Sequence, residues 1–407
     1  MIRKVKTSAL KPGMFIHDYL CDDSKENIHL EKSFLKDMHT INILLSWGIK
    51  EVLIDTERGK DIQPARRITT PLYYSRKIAD AQITSPPNSI FSTPEALSEE
   101  LKEAKVIKED AVRFVNNSMD QILIGKFPDL IKIYALVRRM QQSIERSYDA
   151  LSLLARIRKK DEYTLIHSIS VSTLILRMSR YLNIPSDHAL HLAVGALFHD
   201  IGKAEIDEKI LNKPGKLTAQ EFNEMKKHAQ KSASVLKDVS ELPSEVYDIA
   251  LHHHENWDGS GYPVGLMKNE ISFGSQLTAI CDVFDAVTSD RCYRQGLSSV
   301  EGLKIVYDQR GKHLTEKLTL DFVRSMGVYP VGTCIRMENG FAGIVIAQTD
   351  LMLKPFVKVF YDLNSKKRLN SYILNLAEED ISIECYEDPS SLELSSEALL
   401  HQVSSKN

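Results

Sequence analysis

The 407-residue sequence predicts a mainly α protein, with an all-helical central domain between a small N-terminal α/β module and a small C-terminal β module. Three observations predict this class. Apolar residues recur at three- and four-residue spacing through the centre of the chain. Short apolar strands surround a Pro-Gly turn near the N-terminus. Alternating segments separated by Asn-Gly and Asn-Ser turns follow residue 330.

The composition is that of an ordinary soluble protein, with 43% hydrophobic and 26% charged residues and a net charge of −3. This charge gives no basic field, so we expect no DNA or RNA polymer as partner. No apolar run approaches the roughly 18 residues of a membrane span, and the N-terminus lacks the apolar core of a signal peptide. The five scattered cysteines indicate reduced thiols. We therefore expect a cytoplasmic protein without a membrane partner.

Residues 1–62 predict the α/β module. Strands are expected over residues 5–10 and 14–16, a helix over 33–47 and a further strand over 51–55. Residues 63–92 are polar and contain four prolines, which indicates a linker with little regular structure.

Residues 93–160 predict two long linking helices. Thr93 and Pro94 are typical of a helix start, and Gly125 of a helix end. The second helix is expected over residues 128–160, with apolar residues near heptad spacing. The two helices could form the seam of a homodimer. The alternative is that both pack on their own domain.

The central helical domain is expected over residues 161–327, followed by the β module over 328–388. Residues 389–407 are rich in serine and are expected to be disordered, apart from a turn over 397–403.

Histidines and aspartates recur on the central helices, and most of the histidines lie on or at the edge of an apolar face. His199-Asp200 ends a helix that is apolar nearly all round, and a buried carboxylate there needs a partner, either metal ions or Lys203. Thr218 and Glu221 form a capping box for the next helix, in which His228 shares a face with Phe222, Met225 and Ser232. The spacing of Val246, Ile249 and Ala250 puts His253 and His254 on the buried stripe and leaves His252 outside it. Asp282 and Asp285 share one helical face. His167 lies at the edge of an apolar stripe, where a structural histidine is the usual interpretation.

The ordered set of His199-Asp200, His253-His254-Glu255 and Gly261-Tyr262-Pro263 resembles the HD-GYP family, the metal-dependent cyclic-dinucleotide phosphodiesterase branch of the HD superfamily. The residues from Asp161 to Ser168 resemble its first metal-ligand motif. Leu10-x-x-Gly13-Met14 and Trp47-Gly48-Ile49 resemble the N-terminal module often fused to such domains. The resemblance covers about residues 150–330 and, more modestly, 1–62.

The resemblance implies a binuclear site with two divalent transition-metal ions, iron or manganese before nickel or zinc. Its implied ligands are His167, His199, Asp200, His228, His253, His254 and Asp282. Asp200 would bridge the ions, one completed by His167, His199 and Asp282, and the other by the remaining three histidines. Two ions about 3.5–4 Å apart can hold a hydroxide nucleophile. Some family members bind a third metal through a glutamate one turn before the first histidine; Tyr163 stands there, so two ions are expected.

Other residues are assigned to the substrate. Lys203 is expected to neutralise charge in the transition state, as a catalytic and substrate-binding residue. Gly261 and Tyr262 are expected to approach and stack on a base, and Arg291 and Arg294 to pair with phosphate or a guanine edge. Asp285 is expected to orient a ligand histidine or the substrate.

The expected function is hydrolysis of cyclic di-GMP to linear pGpG, and on to GMP in one alternative, in bacterial second-messenger signalling. Expected partners are the cyclic dinucleotide and, in signalling, diguanylate-cyclase-type proteins. A preference for cyclic GMP-AMP is an open alternative. A second class is a nucleotide-binding signalling adaptor without turnover, which loss of a ligand would favour; no ligand is missing. A mononucleotidase of the HD superfamily is the third, and the Gly-Tyr-Pro loop and the two arginines argue against it.

Overall fold

The computed structural model describes residues 2–20, 35, 41, 51–55, 58–59, 91–156, 163–213, 215–237, 239, 241–289, 296–392 and 394–404. The chain forms two compact units, residues 1–69 and 70–407. Among the residues so described, no helix is both long and apolar enough to cross a membrane.

The first unit contains a three-stranded antiparallel sheet. Its strands are β1 (Ile2–Lys6), β2 (Ile16–Leu20) and β3 (Glu51–Asp55), in the order β1-β3-β2. The strand predicted over residues 5–10 is wrong beyond Lys6, because Thr7–Ala9 turn into a 3-10 helix in which Leu10 N donates to Thr7 O at 3.2 Å. The helix predicted over 33–47 and the linker over 63–92 lie outside the described residues, apart from Leu35, Ile41 and residues 91–92.

The second unit is mainly helical, in agreement with the predicted fold class. Its helices are α1 (Pro94–Leu123), α2 (Leu130–Arg146), α3 (Ala150–Arg156), α4 (Tyr163–Tyr181), α5 (Ser186–Phe198), α6 (Glu208–Leu211), α7 (Ala219–Lys237), α8 (Ser244–His252), α9 (Phe273–Thr288), α10 (Ser299–Asp308), α11 (Glu316–Met326) and α12 (Ser396–Ser404). Helices α4, α5, α7, α8 and α9 pack together and carry the candidate site.

The expected second linking helix is two helices. Helix α1 begins as predicted, with the Thr93 hydroxyl accepting from Ala96 N at 3.3 Å. Helix α2 ends at Arg146 because Ser147 is extended and the following backbone turns inward, where Tyr148 N donates to the Ser92 hydroxyl at 2.6 Å. The buried Tyr148 ring and Asp149 then contact Arg177 of α4. A tertiary contact therefore ends the helix.

The apolar faces assigned to a dimer seam are covered by the chain's own second unit. Leu97, Ala104 and Val115 of α1 are buried in the same core as Val137 and Ile144 of α2. Helix α1 packs on α2, α3 and α4, and α2 packs on α4 and α5. The alternative interpretation, packing on their own domain, is therefore the correct one for these faces.

A five-stranded antiparallel sheet follows the helices, as predicted. Its strands are β4 (Cys334–Met337), β5 (Phe341–Ala347), β6 (Phe356–Asp362), β7 (Lys367–Asn375) and β8 (Ile383–Tyr386), in the order β7-β6-β5-β4-β8. The disorder expected over 389–407 is wrong for Pro389–Leu392, which form a 3-10 helix, and the turn expected over 397–403 lies within the longer helix α12. Leu392, Leu394 and Val403 are buried because α12 packs on α1 and β5.

Candidate metal centre

Seven histidine and aspartate side chains converge between five helical segments. They fall into two groups, within each of which the possible ligand atoms lie within 4.8 Å of one another. One group contains Asp200, His228, His253 and His254, and the other contains His167, His199 and Asp282. These are the seven residues that the family resemblance implied as ligands, and the structure brings all of them together.

Asp200 lies between the two groups. Its Oδ1 is 3.2 Å from His228 Nε2 and 3.8 Å from His253 Nε2, on the side of its own group. Its Oδ2 is 3.3 Å from His199 Nε2 and 3.5 Å from His167 Nε2, on the side of the other. One carboxylate therefore presents one oxygen to each group.

The Nδ1 atoms of three histidines are held by backbone carbonyls of their own helices. His199 Nδ1 donates to Ala196 O at 2.7 Å, and His228 Nδ1 donates to Met225 O at 2.6 Å. His253 Nδ1 is 3.0 Å from Ala250 O. Because a carbonyl oxygen can only accept, Nδ1 carries a proton in each ring, and Nε2 is the nitrogen left to bind a metal at the centre.

Among the residues that the structure describes, four buried atoms at this centre have no hydrogen-bond partner: His199 Nε2, His228 Nε2, His253 Nε2 and Asp200 Oδ1. With unprotonated Nε2 atoms, as metal binding requires, all four are acceptors, and they lie close together. Acceptors cannot satisfy one another, and burying them unpaired is costly. A divalent cation satisfies such a set, and mixed imidazole and carboxylate ligands suit transition metals. The residues present therefore fit metal ions.

The electrostatics of the centre keep two of the histidines neutral. Burial lowers the pKa of His254 to about 3. Burial also lowers the pKa of His253 well below its usual value, and the neighbouring His254 and His199 add to this. Ligand imidazoles must be unprotonated to bind a metal, so these two rings need not lose a proton at neutral pH.

His167 lies between three carboxylates, which gives it the opposite shift. Burial alone would lower its pKa, but hydrogen bonds to Asp200, Asp282 and Asp285 outweigh burial and raise the pKa well above its usual value. Its Nε2 is 3.1 Å from Asp282 Oδ1, and its Nδ1 is 2.6 Å from Asp285 Oδ2. The two aspartates predicted on one face of α9 thus contact opposite nitrogens of one ring. For Asp285, this favours the histidine-orienting alternative over substrate contact.

Lys203 belongs to a 3-10 helix, Ile201–Glu205, that continues directly from the His-Asp pair. Its ammonium donates to Asp200 Oδ2 and is about a quarter exposed, with a relative accessibility of 23%. Burial opposes ionisation of Asp200, but His199 and Lys203 together hold its pKa well below the usual range. Lys203 therefore stabilises the Asp200 carboxylate and still reaches solvent at the site.

The Gly-Tyr-Pro loop is fastened to the end of helix α8. Tyr262 N donates to His254 O at 3.1 Å, and a side chain at Gly261 would collide with the backbone of residues 254–256. Gly261 is therefore required for packing of the loop on the protein. The Tyr262 ring lies over His254, with centres 4.7 Å apart.

Glu255 is a residue of this site to which the sequence analysis gave no role. It is buried, and its carboxylate accepts from Val264 N at 2.7 Å and from Gly265 N at 3.0 Å. Its position directly after His253-His254 was the available signal, because a buried glutamate needs donors.

The sequence analysis also gave no role to Gly202. Its N donates to the Ser232 hydroxyl at 2.8 Å, and a Cβ there would collide with the backbone of α7.

A pocket of about 220 Å³ opens beside the centre and is lined by His253, His254, Asp282, Tyr262, Phe222 and Lys226, among others. Phe222, predicted on the core-facing side of α7, is instead 46% exposed at the rim of this pocket.

The capping box of α7 is as predicted, with Glu221 N donating to the Thr218 hydroxyl at 3.2 Å.

Three further predictions concern His252, the two arginines and the number of metal ions. His252 lies outside both ligand groups, and its Nδ1 is 2.8 Å from Asp248 Oδ1. Arg291 and Arg294 lie outside the described residues, so their roles stay predictions. Tyr163 is the first residue of α4, and the expectation of two rather than three ions also stays a prediction.

Comparison with known proteins gives matches across both units. Residues 136–318 match the HD domain family, and residues 2–131 match a domain of unknown function, DUF3391. A cyclic di-GMP phosphodiesterase of Pseudomonas aeruginosa is 33% identical over 92% of this chain and 89% of its own length. A cyclic di-GMP phosphodiesterase response regulator of Xanthomonas campestris is 35% identical over 44% of this chain and 47% of its own. A 3′3′-cGAMP-specific phosphodiesterase of Vibrio cholerae is 33% identical over 41% and 32%, respectively.

Proposed function

Because this chain belongs to the HD-GYP family of phosphodiesterases, we propose that it hydrolyses cyclic di-GMP to linear pGpG in bacterial cytoplasmic signalling. The observation that carries this proposal is the convergence of four unpartnered buried acceptors within seven histidine and aspartate ligands. A stable fold without a ligand would gain nothing from that arrangement. The names of the two cyclic di-GMP phosphodiesterases to which it is similar support the substrate.

The proposed centre holds two divalent ions, iron or manganese by the family resemblance. Asp200 would contribute one oxygen to each ion, His167, His199 and Asp282 would complete one ligand set, and His228, His253 and His254 the other. When bound, such ions supply Lewis acidity and lower the pKa of water so that a hydroxide is available at neutral pH.

The chain's own residues would bind and orient the substrate around that centre. We assign the Lys203 ammonium, which donates to Asp200 and is about a quarter exposed, to neutralising negative charge that develops on the phosphate under attack. Asp285 holds the Nδ1 proton of His167 and so keeps its Nε2 turned to the centre. We assign Tyr262 to stacking against a base, and Arg291 and Arg294 to a phosphate or a guanine edge.

Cyclic GMP-AMP is the second candidate substrate. The similarity to a 3′3′-cGAMP-specific phosphodiesterase of Vibrio cholerae favours testing it beside cyclic di-GMP. Both substrates contain a guanine and two phosphodiesters, so the ligand centre does not distinguish them. A binding protein without turnover is the alternative from a different class.

The deciding experiment is anaerobic turnover of both cyclic dinucleotides by protein loaded with Fe(II) or Mn(II), with products separated by chromatography. We expect linear dinucleotide from the wild type. His253→Ala and Asp200→Ala should lose metal and lower turnover by at least about a thousandfold, since a metal ligand and the bridging carboxylate are removed.

His252→Ala is the matched control, because it removes the adjacent histidine, which contacts Asp248 and belongs to neither ligand group. It should keep both metal and turnover. Wild-type protein that holds two metal ions but turns over neither substrate would contradict the enzyme proposal and favour the binding protein.

A further inference from the structure

Two residues of α7 lie one helical turn apart at the rim of the pocket that opens beside the ligand centre. Phe222 exposes 46% of its surface, although large apolar side chains usually bury more. Lys226 lines the same pocket as His253, His254 and Asp282. Neither residue has a role in the metal centre, and the periodicity of α7 gives no reason for an exposed aromatic ring here.

The Lys226 ammonium lies against aromatic rings. Its Nζ is 4.8 Å from the centre of the Phe222 ring and 5.4 Å from the centre of the Tyr262 ring. The two rings meet edge to face, with centres 6.4 Å apart. Aromatic faces attract a cation only weakly at an exposed site, so the rings position the ammonium without neutralising it.

Neighbouring lysines are paired with carboxylates, and Lys226 differs from them. Lys227 Nζ is 2.5 Å from Glu224, Lys213 Nζ is 2.6 Å from Glu221, and Lys203 contacts Asp200. Within the part of the chain that the structure describes, no carboxylate lies within ion-pair distance of Lys226. A half-buried cation that faces a pocket and has no anionic partner suits an anionic ligand.

The position of Lys226 relative to the ligand centre decides which anion. Tyr262 lies 4.7 Å from His254 on one side and 5.4 Å from the ammonium on another, so one aromatic ring links the two. In the proposed function, Lys203, which contacts Asp200, serves the phosphate at the metal ligands. A cyclic dinucleotide carries a second phosphate on the opposite side of its ring. Resting on the proposed function, we infer that Lys226 binds this second phosphate, the one that is not cleaved.

The test compares Lys226→Met, which keeps an unbranched side chain and removes the charge, with Lys227→Met on the same helix. For cyclic di-GMP we expect Lys226→Met to raise KM about tenfold, the usual size of one charge-assisted contact, and to change kcat less than about threefold. Lys227→Met should change neither, and Lys226→Arg should restore KM to within a few-fold of wild type.

A substrate with a single phosphodiester separates this contact from a general defect. Bis(p-nitrophenyl) phosphate has no second phosphate, so Lys226→Met should hydrolyse it as the wild type does. An unchanged KM for cyclic di-GMP, or equal losses on both substrates, would overturn the assignment of Lys226.

Equilibrium binding distinguishes this inference from the proposed function. If the wild type binds cyclic di-GMP without hydrolysing it, the enzyme proposal fails, but a tenfold weaker Kd in Lys226→Met still supports the phosphate contact. If the wild type neither binds nor hydrolyses a cyclic dinucleotide, the assignment of Lys226 fails as well.

Discussion

Helix α4 carries two buried polar clusters ten residues apart. They differ in whether their polar groups have partners within the protein. Around Arg177, a donor meets acceptors: its guanidinium donates to Asp149 Oδ1 at 2.6 Å, to Tyr148 O at 2.9 Å and to Ser325 O at 2.5 Å. Around His167, three carboxylates and four further histidines converge, and four of the acceptor atoms have no partner. In the first cluster a cation and an anion form an ion pair, whereas in the second the convergent acceptors lack donors among the described residues.

Unpartnered atoms alone do not distinguish the two clusters. Arg177 Nε and Asp149 Oδ2 also lack partners, but each belongs to a group that is already ion-paired through another atom. The unpartnered atoms near Asp200 are an oxygen and three ring nitrogens, and in the metal-binding state each turns a lone pair toward the others. A buried cluster therefore indicates a cation site when its unsatisfied atoms are convergent acceptors. An opposite-charge pair indicates a structural role.

The strongest test of this comparison measures stability with and without metal. Asp149→Asn leaves Arg177 buried without its counter-charge and should lower the free energy of unfolding by about 3–5 kcal/mol, with or without metal. Asp200→Asn should instead remove the stabilisation by added Mn(II), which for the wild type is about 2.7 kcal/mol at a hundredfold excess over Kd. Denaturant unfolding in EDTA and in Mn(II) gives both quantities. If Asp149→Asn also lost the stabilisation by added Mn(II), the two clusters would be coupled.

A smaller effect is expected at Asp285, which contacts His167 and is itself no member of the two ligand groups. Asp285→Asn weakens the acceptor that holds the Nδ1 proton of His167, so metal affinity should fall about 10- to 100-fold. Titration of metal-free protein with Mn(II) measures this. Ser289→Ala, which removes a hydroxyl that donates to Asp285 O at 2.5 Å and to Asp285 Oδ2 at 3.3 Å but leaves the carboxylate in place, is the milder variant and should cost less. Equal affinities in Asp285→Asn and wild type would return Asp285 to the substrate-contact alternative.

The sequence predicted which histidine and aspartate side chains converge, because helical periodicity is local. The stripe of α8 separated His253 and His254 from His252, and side-chain caps at Thr93 and Thr218 marked two helix starts. Helix ends set by distant contacts were missed. The break after Arg146 depends on Arg177, and the burial of Val403 depends on α1, and no local pattern records either contact.

Periodicity also predicted that Phe222 lies on the core-facing side of α7, and this prediction is wrong. Spacing identifies a helix face but not the point along that face at which the core ends and the pocket begins. His228, Ala229, Ser232 and Leu236 of α7 are buried, whereas Phe222, nearly two turns before His228, lies beyond the edge of the packed helices. The role of Glu255 was missed for a related reason, because its donors come from a loop nine and ten residues later.

The smallest predicted effect concerns Glu255. Its substitution tests whether this carboxylate positions the Gly-Tyr-Pro loop without affecting metal binding. Glu255→Gln keeps the side-chain volume but turns an amide toward the backbone N–H groups of Val264 and Gly265, so the Gly-Tyr-Pro loop loses one charge-assisted acceptor. We expect metal content to stay at the wild-type level and KM for cyclic di-GMP to rise by no more than about tenfold. Glu270→Gln is the matched control, because Glu270 accepts from Met267 N at 2.9 Å in an exposed cap. Metal analysis and steady-state kinetics on the same preparations decide the outcome. Metal loss in Glu255→Gln would mean that this carboxylate supports the neighbouring histidines, and the loop would then belong to the same cooperative unit as the ligands.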